Sequence, residues 1–357
     1  MTDVINEPRI QVLEHVPLAP FTTLRLGGEA RYYVSCSSDG EIMDAVRFAR
    51  GRKLRVGILG GGSNLIVRDE GFDGLVLGVH TSGIIEEGNL DDRLVTVAAG
   101  EHWDRVVEYT VERGLGGMEC LSGIPGSTGA TPIQNVGAYG QEVSESIVEV
   151  RAIDLATLEP RTFRAAECGF GYRTSRFKED QAKKFIITAV KFRLSPEGVP
   201  KIAYAELQKE LERSPGGASA QRGVEALRNV RTSVLALRKM KSMVIDPADP
   251  NSRSVGSFFT NPIVSADVAT ALKSRWPDLP VFPAGNDTKL SAAWLVEHAG
   301  FRKGYAVNGA AISDNHALAL VNRGTTTRDL LSLAEKIRDG VHKQFSILLE
   351  REPVILE

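Results

Sequence analysis

The first 200 residues alternate short apolar runs with polar, turn-forming segments. The runs are rich in Val, Ile and Leu, which is typical of buried or half-buried strands. Strands are predicted at residues 30–34, 55–59, 65–67, 75–79, 94–98, 147–153, 161–164 and 185–192. Two segments have helical periodicity, one from the N-cap candidates at 37–39 to about Lys53, and one from His102 to Arg113 that ends at Gly114. Many strands with few helices between them favour an α+β fold over a doubly wound parallel sheet.

Longer helical segments begin near residue 200. Helices are predicted at residues 205–213, 224–240, 290–298 and 327–345, and a buried strand is predicted at 317–321. Residues 214–219 are polar and rich in Pro, Gly and Ser, which predicts a loop between the first two of these helices. We therefore place a domain boundary in this region.

Composition and charge exclude several classes of protein. The chain has 357 residues, 42% of them hydrophobic, and a net charge of -2, so it can bury a core and has no basic excess for non-specific nucleic-acid binding. Its three cysteines lie far apart without a CxxC pair, which argues against a structural zinc site and for a reducing compartment. Residues 1–20 are charged throughout and no long apolar run follows, so we expect neither a signal peptide nor a membrane span. We predict a cytoplasmic protein without metal.

Glycine is the compositional outlier. Of 35 glycines, eight fall between Gly114 and Gly140, and a second cluster covers residues 57–62. Such clusters indicate tight turns or a backbone that approaches a ligand closely. The GxGxxG, GxxxxGK[ST], HExxH and GxSxG motifs are all absent, so a Rossmann dinucleotide domain is not supported.

Two glycine-rich segments are candidates for binding an anion. Residues 60–64, GGGSN, follow a predicted strand, and residues 125–132 read PGSTGATP. Successive glycines expose backbone N–H groups that can form an anion-binding nest. Either segment alone is better explained as a tight surface turn. Together they favour a dinucleotide whose pyrophosphate they hold from both sides.

These segments belong to an ordered set of motifs that resembles one enzyme family. The motifs are FTTLRLGG at 21–28, GGGSNL at 60–65, GIPGSTGA at 123–130, QNVGAYG at 134–140, GYRTSRFK at 171–178, GSFFTNP at 256–262, KLSAAWL at 289–295 and LEREPV at 349–354. Their order resembles the UDP-N-acetylenolpyruvoylglucosamine reductase family, also called UDP-N-acetylmuramate dehydrogenases, over nearly the whole chain. The glycine loops alone would indicate only the wider group of vanillyl-alcohol-oxidase-type flavoproteins.

The resemblance implies a fold, a cofactor and a reaction. It implies an α+β protein with a PCMH-type FAD-binding region at 1–200 (lobes at about 1–80 and 81–200), a helical connector at 201–236, and an α/β substrate-binding domain at 237–357. The tail of this last domain would return to the active site. The cofactor would be noncovalent FAD and the cosubstrate NADPH. The enzyme would reduce UDP-N-acetylglucosamine enolpyruvate to UDP-N-acetylmuramate for peptidoglycan synthesis, as a monomer without membrane or nucleic-acid partners.

Two alternative functions are also compatible with the glycine loops. One is another FAD-dependent oxidase or dehydrogenase on the same scaffold, which would keep both glycine loops but would not need the residues for substrate reduction. The other is a non-catalytic sugar-nucleotide-binding flavoprotein, which would need no proton donor.

The resemblance also assigns catalytic roles. Arg173 would stabilise charge that develops on the substrate carboxylate, and Ser257 would give a proton to the substrate α-carbon. Glu352, favoured over Glu350, would hold the enolic form by hydrogen bonding. The family more often continues with Val-Arg after this acid, where this chain has Pro353-Val354.

Binding residues follow from the same motifs. Those implied for the cofactor are Gly60, Gly61, Gly62, Ser63, Asn64, Leu65, Pro125, Gly126, Ser127, Gly129, Ala130, Thr131, Asn135, Gly137, Ala138, Tyr139, Gly140 and Ile187. Those implied for the substrate are Tyr172, Tyr204, Lys241, Asn261 and His298. Lys241 would meet the diphosphate, and His298 stands where the family often has glutamine. An insertion-like stretch at 214–223 lies between Tyr204 and Lys241.

Overall fold

The chain forms two compact units, each built from several segments. The computed structural model describes residues 4–7, 10–89, 92–178, 184–213 and 221–357. The first unit comprises the residues up to Val16, Ala30–Gly62 and Phe72–Val244, and the second comprises Pro17–Glu29, Ser63–Gly71 and Ile245–Glu357.

The described residues form helices and strands in no repeating order. The helices are α1 (Asp39–Gly51), α2 (Trp103–Glu112), α3 (Ala205–Arg213), α4 (Gly223–Met240), α5 (Ala266–Arg275), α6 (Ala292–His298) and α7 (Thr327–Phe345). The strands are β1 (Val4–Glu7), β2 (Ile10–Pro17), β3 (Glu29–Cys36), β4 (Arg55–Leu59), β5 (Leu65–Val67), β6 (Phe72–Val79), β7 (Ile84–Gly88), β8 (Arg93–Ala98), β9 (Gly137–Ala138), β10 (Gln141–Glu142), β11 (Ile147–Asp154), β12 (Pro160–Arg164), β13 (Phe185–Leu194), β14 (Ser254–Ser257), β15 (Ile263–Val264), β16 (Val281–Ala284), β17 (Asp287–Leu290), β18 (Ala306–Val307), β19 (Ala310–Ile312), β20 (Ala319–Asn322) and β21 (Val354–Leu356).

Two five-stranded sheets form the framework of the first unit. One has the order β1-β2-β3-β6-β4, in which β3 and β4 both run parallel to β6 and are connected by α1. The other has the order β12-β11-β13-β8-β7 and is antiparallel throughout. Ser38 begins α1 as an N-cap, because its hydroxyl accepts a hydrogen bond from the Glu41 N–H. One buried apolar cluster contains residues of both sheets, α1 and α2.

Helices α3 and α4 belong to the first unit and pack on each other around a smaller apolar core. That core consists of Cys120, Leu207, Leu211, Val230, Val234 and Leu237, with Tyr139 packed against it. The last segment of the second unit begins at Ile245, whereas the sequence led us to expect a connector at 201–236 and a boundary at residue 237. The expected loop at 214–219, and most of the insertion-like stretch that contains it, lie outside the described residues.

The second unit combines small sheets with α5, α6 and α7. Its four-stranded sheet, β14-β20-β19-β18, and its three-stranded sheet, β15-β17-β16, are antiparallel, whereas β21 runs parallel to β5. Leu24, Leu26 and Ile66 are buried in the core of this unit together with Phe258 and Leu330. This burial explains why the N-terminal segments 17–29 and 63–71 fold with the C-terminal part of the chain.

Local patterns predicted most of the regular elements. The strands at 55–59 and 65–67 and the helices at 205–213 and 327–345 have the predicted bounds, and the α+β class is confirmed. The predicted helix at 290–298 begins only at Ala292, because Leu290 ends β17. Strand β2, helix α5 and the three-stranded sheet had not been predicted. Within the described residues, no helix is long and apolar enough to cross a membrane.

Candidate active site

In the first unit, the first glycine loop (residues 60–62) lies directly against the second (residues 123–131). A Cβ atom on Gly61 would lie 2.6 Å from the Gly126 Cα, and one on Gly60 would lie 2.4 Å from the Ser127 Oγ. Because Cβ atoms do not approach backbone atoms that closely, only glycine at position 61 permits this contact. The two loops therefore meet through backbone and the small Ser127 side chain, and a glycine-rich backbone of this kind can offer N–H groups to a pyrophosphate group.

The second glycine loop is fixed to the backbone that precedes α2. The Thr128 N–H donates to the Glu101 carbonyl at 2.8 Å, and the Gly129 N–H donates to the Ala99 carbonyl at 2.8 Å. A Cβ atom on Gly129 would lie 2.6 Å from the Ala99 Cβ, so glycine is required here as well. Strand β8 ends at residue 98, so the position of the loop follows from that of the antiparallel sheet.

The start of this loop is held by a charged cluster between α2 and α4. The Asp104 carboxylate accepts a hydrogen bond from the Gly123 N–H at 2.6 Å and two from the Arg231 guanidinium at 2.6 and 2.9 Å. Burial of Asp104 opposes its ionisation, but the hydrogen bonds from Arg231 and Gly123 outweigh that effect, so the pKa of Asp104 lies below its ordinary value. As an ionised carboxylate, Asp104 therefore connects α2, α4 and the second glycine loop.

A short hairpin and one asparagine organise the next part of the site. Tyr139 and Gly140 connect β9 to β10 with φ angles of 49° and 80°, as in the type I′ turns of two-residue hairpins. The Asn135 amide donates to the Glu142 carboxylate at 2.8 Å and to the Gly171 carbonyl at 3.0 Å. Asn135 therefore joins the QNVGAYG segment to the GYRTSRFK segment.

Arg173 lies on this second segment, and backbone carbonyls orient it. Its Nη2 donates to the Gly137 carbonyl at 2.6 Å and its Nη1 to the Asn135 carbonyl at 3.4 Å. The Tyr172 ring centroid lies 5.7 Å from its guanidinium carbon. These two hydrogen bonds to carbonyl oxygens orient the guanidinium of Arg173.

Two predicted residues of the first unit, Tyr204 and Lys241, lie against the ring of a third, Tyr139. Tyr204 packs against it edge-to-face with a centroid distance of 5.7 Å, and the Lys241 Nζ lies 5.7 Å from its centroid. Lys241 also forms an ion pair with Glu206 at 2.6 Å. Burial raises the pKa of Tyr139 to about 12, so its hydroxyl stays protonated at neutral pH.

In the second unit, Ser257 and Glu352 stand on hydrogen-bonded neighbouring segments. Ser257 ends β14 opposite Ala319 of β20. The next N–H, that of Phe258, donates to the Leu318 carbonyl at 2.7 Å, and the Phe258 carbonyl accepts from the Glu352 N–H at 2.9 Å. The C-terminal segment is therefore placed beside the serine by backbone hydrogen bonds.

The same C-terminal segment continues along residues that follow the first glycine loop. The Val354 N–H donates to the Asn64 carbonyl at 3.0 Å, and the Asn64 amide donates to the Glu352 carbonyl at 3.5 Å. Strand β21 then pairs with β5. Pro353 and Val354, where the chain departs from the family pattern, are thus compatible with an ordered tail.

Two residues implied for the substrate have structural contacts in this unit. The Asn261 side-chain oxygen accepts from the Ala292 N–H at 2.9 Å, at the start of α6. The His298 ring stacks on Trp294 at 3.6 Å, and its Nε2 lies 3.6 Å from the Asp278 carboxylate. His298 therefore packs against its own helix and the segment between α5 and β16.

The predicted residues fall in both units. In the first are Gly60, Gly61, Gly62, Pro125, Gly126, Ser127, Gly129, Ala130, Thr131, Asn135, Gly137, Ala138, Tyr139, Gly140, Tyr172, Arg173, Ile187, Tyr204 and Lys241, and in the second are Ser63, Asn64, Leu65, Ser257, Asn261, His298 and Glu352. Sequence reasoning missed Asp104 and Glu206. Each lies in the first turn of a predicted helix. Their partners, Arg231 and Lys241, are 127 and 35 residues away along the chain, so no local sequence pattern indicates either pair.

Comparisons with known proteins match both parts of the chain. Residues 30–157 match the model of a FAD binding domain, and residues 247–356 match the model described as UDP-N-acetylenolpyruvoylglucosamine reductase, C-terminal domain. The UDP-N-acetylenolpyruvoylglucosamine reductase of Saccharopolyspora erythraea is 49% identical over 355 residues, covering 95% of this chain and 94% of the relative. That of Thermobifida fusca is 47% identical over 354 residues, covering 96% and 97%.

The chain belongs to the UDP-N-acetylenolpyruvoylglucosamine reductase family. This confirms the resemblance inferred from the ordered motifs. The crystal structure of the reductase of this family from Thermus caldophilus matches all of both chains with a TM-score of 0.65 and 23% identity, which confirms the fold. The reductase model begins two residues after Ile245, where the last segment of the second unit begins, whereas the FAD-binding model at 30–157 also includes Ser63–Gly71 of that unit.

In this reductase, Gly61→Ala should weaken cofactor retention. The added Cβ would meet Gly126 backbone atoms at 2.6 and 2.8 Å, and backbone cannot rotate away as a side chain can. We expect a loss of stability of about 1–3 kcal/mol and a lower fraction of bound flavin after gel filtration. Gly51→Ala is the control, because no atom lies within 4 Å of its added Cβ. Equal flavin content in the two variants would contradict the close-approach argument.

Asp104→Asn should destabilise the reductase at neutral pH and change its acid sensitivity. The variant removes the carboxylate that pairs closely with the Arg231 side chain, which is 11% exposed and keeps only the Glu108 carboxylate at 3.8 Å, and this loss costs on the order of 3 kcal/mol. Folding lowers the pKa of Asp104, so its ionised carboxylate adds to the free energy of unfolding at pH values above its ordinary pKa of about 3.9. This contribution is lost as the pH falls through the pKa of the folded state. Urea unfolding from about pH 7 to pH 2.5 would measure both effects.

The control for this prediction is Glu112→Gln, since Glu112 pairs with Arg228 between the same two helices at an exposed position. We expect a change below about 1 kcal/mol for that variant. A parallel pH dependence of wild type and Asp104→Asn would show that Asp104 is not the group responsible.

Proposed function

We propose that this chain is the NADPH-dependent flavoenzyme that reduces UDP-N-acetylglucosamine enolpyruvate to UDP-N-acetylmuramate in peptidoglycan precursor synthesis. The observation that carries the proposal is the pairing of the segment after Ser257 with the segment of Glu352, which joins a proton donor and a carboxylate in the second unit. FAD, when bound, supplies the two-electron chemistry: a hydride from NADPH is passed on to the enol ether.

Arg173 would stabilise the charge that develops during reduction. When a hydride adds to the β-carbon, negative charge appears on the α-carbon and spreads into the substrate carboxylate. A preorganised cation beside that carboxylate lowers the barrier more than it strengthens substrate binding. The hydrogen bonds of Arg173 to the carbonyls of Asn135 and Gly137 support this role, because they orient the guanidinium before substrate arrives.

Ser257 would complete the reaction by giving its proton to the α-carbon. A carbanion-like centre is basic enough to take a proton from a neutral hydroxyl. Glu352 would hold the enolic form of the carboxyl group by a hydrogen bond. The backbone bond from Glu352 to Phe258, the residue after Ser257, supports a joint role for the two side chains.

We propose that Lys241 meets the diphosphate and Tyr204 covers it, with Tyr172 and Asn261 in polar contact with the substrate. The packing of Tyr204 and Lys241 around Tyr139 supports this assignment. His298 we propose as a lesser contact, since its ring stacks on Trp294.

We also propose that the enzyme acts as a cytoplasmic monomer. The three cysteines are free and buried, as in proteins of a reducing compartment. Every residue named in the mechanism comes from this one chain.

The test is to separate the two half-reactions by anaerobic stopped-flow absorbance. The purified protein should be yellow with FAD that heat or acid releases. NADPH should bleach the flavin, and UDP-N-acetylglucosamine enolpyruvate should restore its colour. Another flavin oxidase or dehydrogenase on this scaffold would fail the second step, and a non-catalytic flavoprotein would fail both.

Ser257→Ala should leave the bleaching by NADPH nearly unchanged and slow the reoxidation by substrate. Loss of one general acid typically costs about 10²–10⁴-fold. Ser274→Ala, on exposed α5 of the same unit, is the control and should slow neither step. Equal slowing of both half-reactions would mean that Ser257 is structural and the proton comes from elsewhere.

Arg173→Ala should slow reoxidation by about 10²–10³-fold with a smaller effect on substrate dissociation, because one preorganised donor is worth roughly 3–4 kcal/mol in the transition state. Arg173→Lys should be intermediate, since it keeps the charge but loses the planar fork. Arg176→Ala, in the same motif, is the control, because the Arg176 Nη1 donates to the Glu167 carbonyl. Weaker substrate binding with an unchanged reoxidation rate would make Arg173 a ground-state anchor instead.

A further inference from the structure

The ammonium group of Lys241 already has an anionic partner within the protein. Its Nζ lies 2.6 Å from the Glu206 carboxylate, and the two side chains are 33% and 39% exposed, so a ligand can approach both from solvent. Lys241 is also the residue that we propose for the diphosphate of the substrate. A carboxylate of the protein therefore occupies the cation to which that diphosphate would bind.

Helix ends place the two partners opposite each other. Glu206 stands in the first turn of α3, and Lys241 follows α4 as its C-cap. A helix N-terminus favours a negative charge and a C-terminus a positive one, so each partner is also stabilised by its own helix. Leu207, the residue after Glu206, is fully buried in the apolar core between α3 and α4. The carboxylate can thus leave Lys241 by rotation of its side chain while packing keeps the helix in place.

The charge of Glu206 also acts on the tyrosines beside Lys241. Burial is the main cause that raises the pKa of Tyr204, and the negative charge of Glu206 raises it further. The same carboxylate contributes to the raised pKa of Tyr139, the ring on which Tyr204 and Lys241 pack. Glu206 therefore disfavours a second negative charge at this place. A diphosphate on Lys241 would meet that repulsion unless Glu206 turns away.

We infer that Glu206 is a competing counter-ion of Lys241, which the diphosphate of the sugar nucleotide displaces on binding and which returns to Lys241 when the nucleotide leaves. The inference rests on the proposed function for the assignment of the diphosphate to Lys241. An ion pair between two partly exposed side chains is weak, so a ligand with several negative charges can replace it. Glu206 then sets how tightly the enzyme holds any UDP nucleotide.

A counter-ion that competes in this way has a use in turnover. Substrate and product of the proposed reaction carry the same UDP group, so stronger binding of the diphosphate would hold the product as firmly as the substrate. Interactions that are equally strong in the ground state and the transition state do not accelerate the chemical step. Because Glu206 replaces the departing diphosphate on Lys241, it shortens the time for which product stays bound.

The test measures binding of UDP to the flavin-containing protein and to its Glu206→Gln variant. Glutamine keeps the shape of the side chain and removes the charge. Loss of an exposed ion pair changes an equilibrium constant by up to about 5-fold, so we expect UDP to bind about 2- to 5-fold more tightly to the variant, mainly through slower dissociation. Uridine, which has no phosphate, should bind equally to both proteins. Isothermal titration calorimetry gives the dissociation constants, and surface plasmon resonance gives the dissociation rates.

A double-mutant cycle tests whether Glu206 acts through Lys241. Lys241→Met should weaken UDP binding. Adding Glu206→Gln to that variant should increase the affinity by less than it does in the wild-type background, because the competing ion pair no longer exists. Equal gains in both backgrounds would mean that Glu206 only repels the ligand, and would overturn its role as a counter-ion.

Two further variants serve as a control and as a safeguard against misfolding. Glu212→Gln removes an exposed carboxylate from the last turn of the same helix and should change neither the affinity for UDP nor its dissociation rate. Glu206→Asp keeps the charge on a shorter side chain and should fall between wild type and Glu206→Gln. If the glutamine variant does not fold, the aspartate variant alone must still bind UDP more tightly than wild type.

Other outcomes also overturn the inference. Weaker binding of UDP to Glu206→Gln would mean that Glu206 positions Lys241 for the ligand. Unchanged binding with a lower melting temperature would make the ion pair a brace between α3 and α4, and an equal gain for uridine would place the effect outside the diphosphate. A wild-type protein that does not bind UDP would refute the proposed substrate, whereas wild-type binding with an unaffected glutamine variant refutes only the role of Glu206.

Discussion

The carboxylate of Asp104 is the contact on which the candidate site most depends. It receives the N–H of Gly123 and the guanidinium of Arg231, and so fixes the start of the second glycine loop against α2 and α4. Partial burial would make an isolated carboxylate costly, but three hydrogen bonds compensate for the lost water. With that end fixed, the loop meets Gly60 and Gly61 along a surface made only of backbone and small side chains.

Arginines have two different uses in the first unit. Arg231 is neutralised by Asp104 and serves as a brace. Arg173 is instead oriented by the backbone carbonyls of Asn135 and Gly137. Since a carboxylate partner would compete with an anionic ligand, holding a cation by carbonyls is suited to a binding site.

Backbone conformations that are unusual for residues with side chains also occur in this region. Asn135, Tyr139 and Arg173 all have positive φ angles, of 45°, 49° and 56°. Each costs conformational energy and persists because its surroundings determine it. For Arg173 the hydrogen bonds to the Asn135 and Gly137 carbonyls do so, and for Tyr139 the hairpin turn and the apolar core between α3 and α4 do so. These three residues are among those that the motifs implied.

The sequence by itself determined the α+β class, most helices and strands, and the two glycine loops, because these depend on local patterns: apolar periodicity, caps, and positions where only glycine allows close backbone approach. It also determined the family, through motifs in a fixed order. Only the tertiary structure decided that Leu24 and Ile66 belong to the core of the second unit, and that α3 and α4 belong to the first. It also decided the ion pairs between Lys241 and Glu206, 35 residues apart, and between Arg231 and Asp104, 127 residues apart. A charged side chain can pair with any opposite charge that packing brings near, so no local pattern specifies its partner.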